Sequence, residues 1–178
     1  MKSREVYNLL IRYLLLLVLA LPNLALFYFI LTPLTVYPVF VILSLFFKSN
    51  LLEGNVIFFQ GNYIELIPAC IAGAAYYFLA ILNLTTSMKI DKRIKSLSFL
   101  FTSFLVINIV RILLFSLLLL SGYQYFDITH KLAWYFGSTA LVVFVWFTNV
   151  LLFKIKEIPV YTDIKNLLRD INKKKYKH

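Results

Sequence analysis

Three residues of this chain suit acyl-transfer chemistry, and each stands nearly alone. Cys70 is the only cysteine, His130 is one of two histidines, and Arg111 is the only charge between Leu97 and Leu120. A thiolate is a nucleophile toward a carbonyl carbon. An imidazole can take the thiol proton or protonate a leaving amine. A guanidinium can stabilise the oxyanion or hold the substrate carbonyl, and it stays charged when partly desolvated. Asn108 precedes Arg111 on the same helical face, where it can bond the guanidinium or share its cavity.

Each residue also has a plainer reading. Cysteine is often a small buried apolar residue. An arginine within a span can be a structural pairing or snorkelling residue. A lone histidine at a membrane surface often does nothing. For Cys70 three features favour chemistry. It lies near the start of a helix, where free backbone N–H groups and the dipole stabilise a thiolate. Pro68 suits the first turn of that helix. Ala72, Gly73, Ala74 and Ala75 are small and leave room for a substrate or a close helix neighbour. Asp127 can orient the His130 ring if both lie in one helical turn; otherwise it and Glu65 read as ordinary loop carboxylates.

The elements that must position these residues are membrane-spanning. The chain is 61% hydrophobic, against about half for soluble domains. About 20 apolar residues cover the roughly 30 Å hydrocarbon core of a bilayer. Leu97–Leu120 and Leu132–Phe153 meet that length, the second with no charge at all. The expected fold is an all-α polytopic bundle of about five apolar segments, 9–31, 34–47, 68–84, 97–120 and 132–153, within a membrane domain of residues 1–153. The first segment is too long for the apolar core of a signal peptide and lacks a small-residue cleavage site, so it reads as a retained helix that Pro22 kinks. Pro33 and Pro38 stand near the start of the short second segment. Between the second and third, Asn55–Leu66 holds two β-prone runs about Gly61-Asn62, which predicts a small extracytoplasmic hairpin.

The net charge of +10 is gathered just outside the apolar runs, at Lys2, Arg4 and Arg12, at Lys89–Lys95, and in the tail 154–178. Such clusters orient spans and meet anionic headgroups. No basic groove with interleaved aromatics is present, so nucleic acid is not an expected partner. No Cys/His spacing suits a metal, and no cofactor is expected. The cluster at Lys89–Lys95 and the basic tail, which can be amphipathic, are separated by two spans and belong on the cytoplasmic side. Cys70, Arg111 and His130 then all fall toward the extracytoplasmic side. Arg111 lies about 14 Å along its helix from Leu120, at about 1.5 Å per residue. The basic N-terminus conflicts with this topology if both early segments cross the membrane.

The order and setting of these residues resemble the exosortase/archaeosortase family of membrane cysteine transpeptidases. The resemblance runs from about Asn55 to Asn149. It rests on the outer hairpin leading into Ala69-Cys70-Ile71-Ala72, the intramembrane Asn108-Ile109-Val110-Arg111, and His130 after a short outer loop. Many members have Cys-Ser-Gly where this chain has Cys70-Ile71-Ala72, a departure closer to the archaeal branch. The resemblance implies that Cys70, Arg111 and His130 are catalytic, with Asn108 supporting Arg111. It implies substrates that are secreted proteins with a C-terminal sorting signal, cleaved through a thioester and passed to a membrane lipid or another anchor. Two readings compete with it. One is a protease that uses water as acceptor. The other is a non-enzymatic transport or assembly subunit, in which Arg111 binds an anion or pairs helices.

Overall fold

A computed structural model describes residues 3–21 and 24–157. The basic tail and its amphipathic reading lie almost wholly outside the described residues, as does the kink expected at Pro22. The chain is mostly helical. Four stretches are long and apolar enough to cross a membrane: Ala25–Phe46, Pro68–Thr85, Ile90–Leu120 and Phe126–Leu152. Large apolar side chains lie exposed along them, among them Phe29, Leu45, Leu114, Phe144 and Leu151. A surface this apolar suits a multi-pass membrane protein with lipid against it.

The N-terminal third divides differently from the expected 9–31 and 34–47. Helix α1 spans Ser3–Ala20 and α2 spans Ala25–Phe46. Leu24, just before α2, takes a left-handed conformation with φ 60°. Pro33 and Pro38 do not separate helices; both sit inside α2. Proline is tolerated within spanning helices, where neighbouring groups and local adjustments re-satisfy the freed carbonyl.

The two helices are not a hairpin. Helix α1 packs along α4 (Gly73–Thr85), whereas α2 packs on α3 (Pro68–Ile71), α4 and α5 (Ile90–Leu120). Arg12 reaches the carbonyl of Thr86 at 3.5 Å, and the Tyr77 hydroxyl donates to the Leu16 carbonyl at 3.1 Å. Phe27 meets Tyr77 and Phe101 edge-on, and Phe47 meets Phe59 beyond the far end of α2. From Arg12 to Phe47 the chain therefore crosses the bundle once, as an interrupted pass. Arg12 then lies at the same end as Thr86, Lys92 and Lys154.

At the other end sits a three-stranded antiparallel sheet, larger than the expected hairpin. Strands β1 (Ser49–Leu52), β2 (Val56–Phe59) and β3 (Asn62–Glu65) pair in sequence order. The β2–β3 turn is Gln60-Gly61, one residue earlier than expected, with Phe59 opposite Asn62. Both turn residues have positive φ, 49° and 80°, as a tight two-residue turn requires. Ile57 and Phe59 are fully buried and fix the sheet to the helices.

The basic end is closed by polar contacts. Arg93 donates to the carbonyls of Asn83 at 2.6 Å and Thr86 at 2.8 Å, neutralising the end of α4. The Asn83 amide donates to the Ser96 hydroxyl at 2.7 Å, and Ser96 donates to the Asn149 side-chain amide oxygen Oδ1 at 2.9 Å. This chain ties α4 and α5 to α7 (Ser138–Leu152). Near the opposite end of α4, Gly73 is buried against Tyr28 of α2; a Cβ there would meet the Tyr28 ring at 2.8 Å. Gly73→Ala should destabilise the bundle by about 1–3 kcal/mol, the range for overpacking. Thermal unfolding in detergent checks this, and Tyr28→Leu in the same chain should restore part of the loss.

Candidate active site

Cys70 sits on α3, a single helical turn. Ile67, in extended conformation, precedes Pro68 in the first position of the turn. The turn ends at Ala72, which is left-handed with φ 60° and ψ 36°, and α4 starts at Gly73. A left-handed conformation costs an alanine about 1–2 kcal/mol. The dipole expected to favour a thiolate at Cys70 is thus not that of a long helix. The Cys70 N–H is also occupied, donating to the Ile67 carbonyl at 2.8 Å. Of the small residues after Cys70, Gly73 serves a close helix neighbour, since it faces Tyr28, whereas Ala74 is exposed.

The break takes the Cys70 carbonyl out of a regular helical ladder, and Asn108 supplies its partner. The Asn108 amide donates to that carbonyl at 2.8 Å. Asn108 is buried and does not bond the Arg111 guanidinium, the partner expected of it. It holds the main chain of the cysteine turn. Asn108, Arg111 and Phe115 form one stripe of α5 at helical spacing.

Arg111 is half-buried, and its Nη1 donates to the Ser138 hydroxyl at 2.5 Å. Ser138 reaches this position through a π turn, Ala133–Gly137, set between α6 (Phe126–Leu132) and α7. The Ser138 N–H donates to the Ala133 carbonyl, five residues back. One extra residue in a turn rotates the following helix back by about 100°. That rotation brings Ser138 onto the face that carries His130, Ala133 and Trp134.

His130 lies on α6, half-buried. Its ring stacks on Phe126, with centroids 5.6 Å apart and planes 4° from parallel, and meets Phe115 edge-on at 5.1 Å. Asp127 is exposed and makes no hydrogen bond with His130 among the described residues, so aromatic contacts position the ring. Glu65 is exposed at the end of β3.

Cys70, Arg111 and His130 line one cavity of about 90 Å³, walled also by Ile67, Ala69, Phe115, Ala133 and Trp134. The Arg111 guanidinium shares this cavity with the sulfur and the imidazole. The cavity therefore gathers a thiol, an imidazole and a guanidinium inside apolar walls. Among the described residues no group of His, Cys, Asp and Glu suits a metal ion. Ser138, Trp134, Phe115 and Phe126 were not singled out in the sequence. Only their helical spacing from Arg111 and His130 could have drawn attention to them, and for Ser138 the π turn hides even that.

No family model, no curated protein and no solved structure matches this chain.

Two substitutions separate the supports of the site. Asn108→Ala leaves the Cys70 carbonyl without its partner and should cost about 1–3 kcal/mol, read as a lower unfolding temperature in detergent or bicelles. Ser138→Ala should cost less, because the guanidinium can turn to water in the cavity, and should mainly loosen Arg111. A double-mutant cycle should then be additive within about 0.5 kcal/mol, as for groups without a shared partner.

Proposed function

We propose that this chain is a membrane-embedded cysteine transpeptidase. It cleaves the C-terminal sorting signal of secreted surface proteins and transfers them to a lipid or another surface anchor. The observation that supports this most is the convergence of Cys70, Arg111 and His130, from three separate elements, on one cavity. The end of the bundle with Arg12, Lys92, Arg93 and Lys154 faces the cytoplasm by the positive-inside rule, and the cavity serves the extracytoplasmic side.

In this mechanism the His130 ring takes the proton of Cys70, and the sulfur attacks the scissile carbonyl carbon. Arg111 stabilises the oxyanion, where a fixed cation in a low-dielectric site is worth far more than in water. The tetrahedral species collapses to a thioester as His130 protonates the leaving amine of the downstream segment. A nucleophile on the acceptor then loses its proton to His130, attacks the thioester and releases the Cys70 thiol. Asn108 holds the cysteine turn, and Ser138 holds the guanidinium.

The Arg111–Ser138 bond also suits the alternative, a non-enzymatic subunit that uses Arg111 to pair helices. The two readings separate in cells that make the full chain. With a transpeptidase, Cys70→Ala accumulates unprocessed precursors of surface proteins, and acid-quenched wild-type membranes carry a hydroxylamine-sensitive adduct on Cys70. Arg111→Lys should slow processing by about 10²–10³-fold, the usual cost of losing an oxyanion partner. Normal processing by Cys70→Ala refutes the enzyme. Loss of function with Arg111→Lys but not Cys70→Ala establishes the subunit.

A further inference from the structure

The sheet has an uncovered edge that leads into the cavity. Strand β3 packs on β2 and makes no extended contact with a helix among the described residues. Phe59 and Asn62 close the Gln60-Gly61 turn as a hydrogen-bonded pair, so the pairing alternates along the ladder. Asn62 and Ile64 turn their main-chain groups toward β2, and Tyr63 and Glu65 turn theirs outward. The Glu65 carbonyl accepts the Ile67 N–H at 3.2 Å. The outward groups left on this edge are the N–H and carbonyl of Tyr63 and the N–H of Glu65. Both side chains are exposed, Tyr63 at 67%.

The edge is continuous with the site. From Glu65 the chain passes through buried Leu66, whose N–H is held by the Asn55 carbonyl at 3.1 Å, to Ile67 in the cavity wall and then to Cys70. Strand β3 thus leads, in chain order, from the Gln60-Gly61 turn to the helical turn that carries Cys70 at the cavity. A polypeptide anchored by its own C-terminal span enters in the same sense, its outer part leading and its span trailing.

We infer that the substrate segment just before its membrane span binds as an extended strand on β3, parallel to it, through the outward main-chain groups of Tyr63 and Glu65. This rests on the transpeptidase reading and names how that site takes its substrate. Main-chain pairing of this kind gives affinity without demanding a particular sequence, whereas pockets for side chains give specificity. The pairing leaves the side-chain choice to the small cavity beside Cys70 and feeds the chain into it with the scissile carbonyl leading the span.

The test uses the full chain carrying Cys70→Ala, which removes its only cysteine. The probe is a single-span reporter: a soluble domain, an extended polar linker, an apolar helix of spanning length and a basic end. Cysteines are placed singly along the linker and joined by a short bismaleimide to Tyr63→Cys, Glu65→Cys or, as a control on the loop at the same end, Tyr125→Cys. Crosslinking at Tyr63 should exceed that at Tyr125 by about tenfold and alternate along the linker with the two-residue period of a strand. The Glu65 partner should lie two residues nearer the reporter's helix than the Tyr63 partner. Equal yields at Tyr63 and Tyr125 overturn the inference, as does a Glu65 partner displaced away from the helix. A second measurement is made in cells with Cys70 intact. Tyr63→Pro removes the outward N–H at a position where an edge strand tolerates proline. It should accumulate precursor about fivefold over Tyr63→Ala, which keeps that N–H. Equal accumulation by the two variants overturns strand pairing while leaving the Cys70 chemistry intact. Processing by Cys70→Ala refutes the enzyme whatever the crosslinks show.

Discussion

A backbone carbonyl inside a bilayer has no water to turn to, and leaving one unpaired there costs several kcal/mol. The carbonyl of Cys70 is the case on which this structure turns. The helix carrying it stops after one turn and restarts past a left-handed Ala72. That break is possible because the Asn108 amide stands opposite. With the carbonyl satisfied from α5, the cysteine turn can leave the axis of α4 and present its side chain to the cavity. Tyr28 over Gly73 then fixes where the second helix begins. One side-chain amide therefore permits an interruption that hydrocarbon alone would forbid.

The second cost is the charge. A guanidinium deep in a span is tolerated where it faces a cavity or a partner, and Arg111 has both. Ser138 accepts one of its hydrogen bonds, and the cavity contains the thiol and the imidazole. The opposite end handles its buried cation differently. Arg93 is spent on the terminal carbonyls of α4 and secures the loop there. The two arginines show how the same side chain serves as a structural cap in one place and stands at a cavity in the other.

Much of this was legible in the sequence because hydrophobic length is a strong signal. The last two long apolar helices, two of the three strands and the polar residues that line the cavity could be read from runs of apolar residues and isolated polar ones. The N-terminal division could not. Proline marks breaks in soluble helices, and Pro33 stands between the two expected segments; inside α2 it is absorbed, and a left-handed Leu24 precedes that helix. Asn108 lies on the face that carries Arg111, but its amide bonds the Cys70 carbonyl and not the guanidinium. Helical spacing reports neighbours along α5 and says nothing of a carbonyl freed on another element. The left-handed Ala72 has no signature, since alanine is an ordinary helix former. Aromatic positioning of His130 was equally hidden, because Asp127 is the nearer polar residue in sequence and Phe115 is remote.

The π turn at Ala133–Gly137 carries information of an unusual kind. Its effect depends on how many residues separate His130 from Ser138, and little on which residues they are. Removing one would restore an unbroken α-helix, and either α6 or α7 would have to turn by about 100° to compensate. The histidine and the partner of the arginine would no longer face the same space, although every side chain of the site remained. Here the spacing is itself a component of the site. In such a protein a change of length by a single codon is a graver event than most changes of identity.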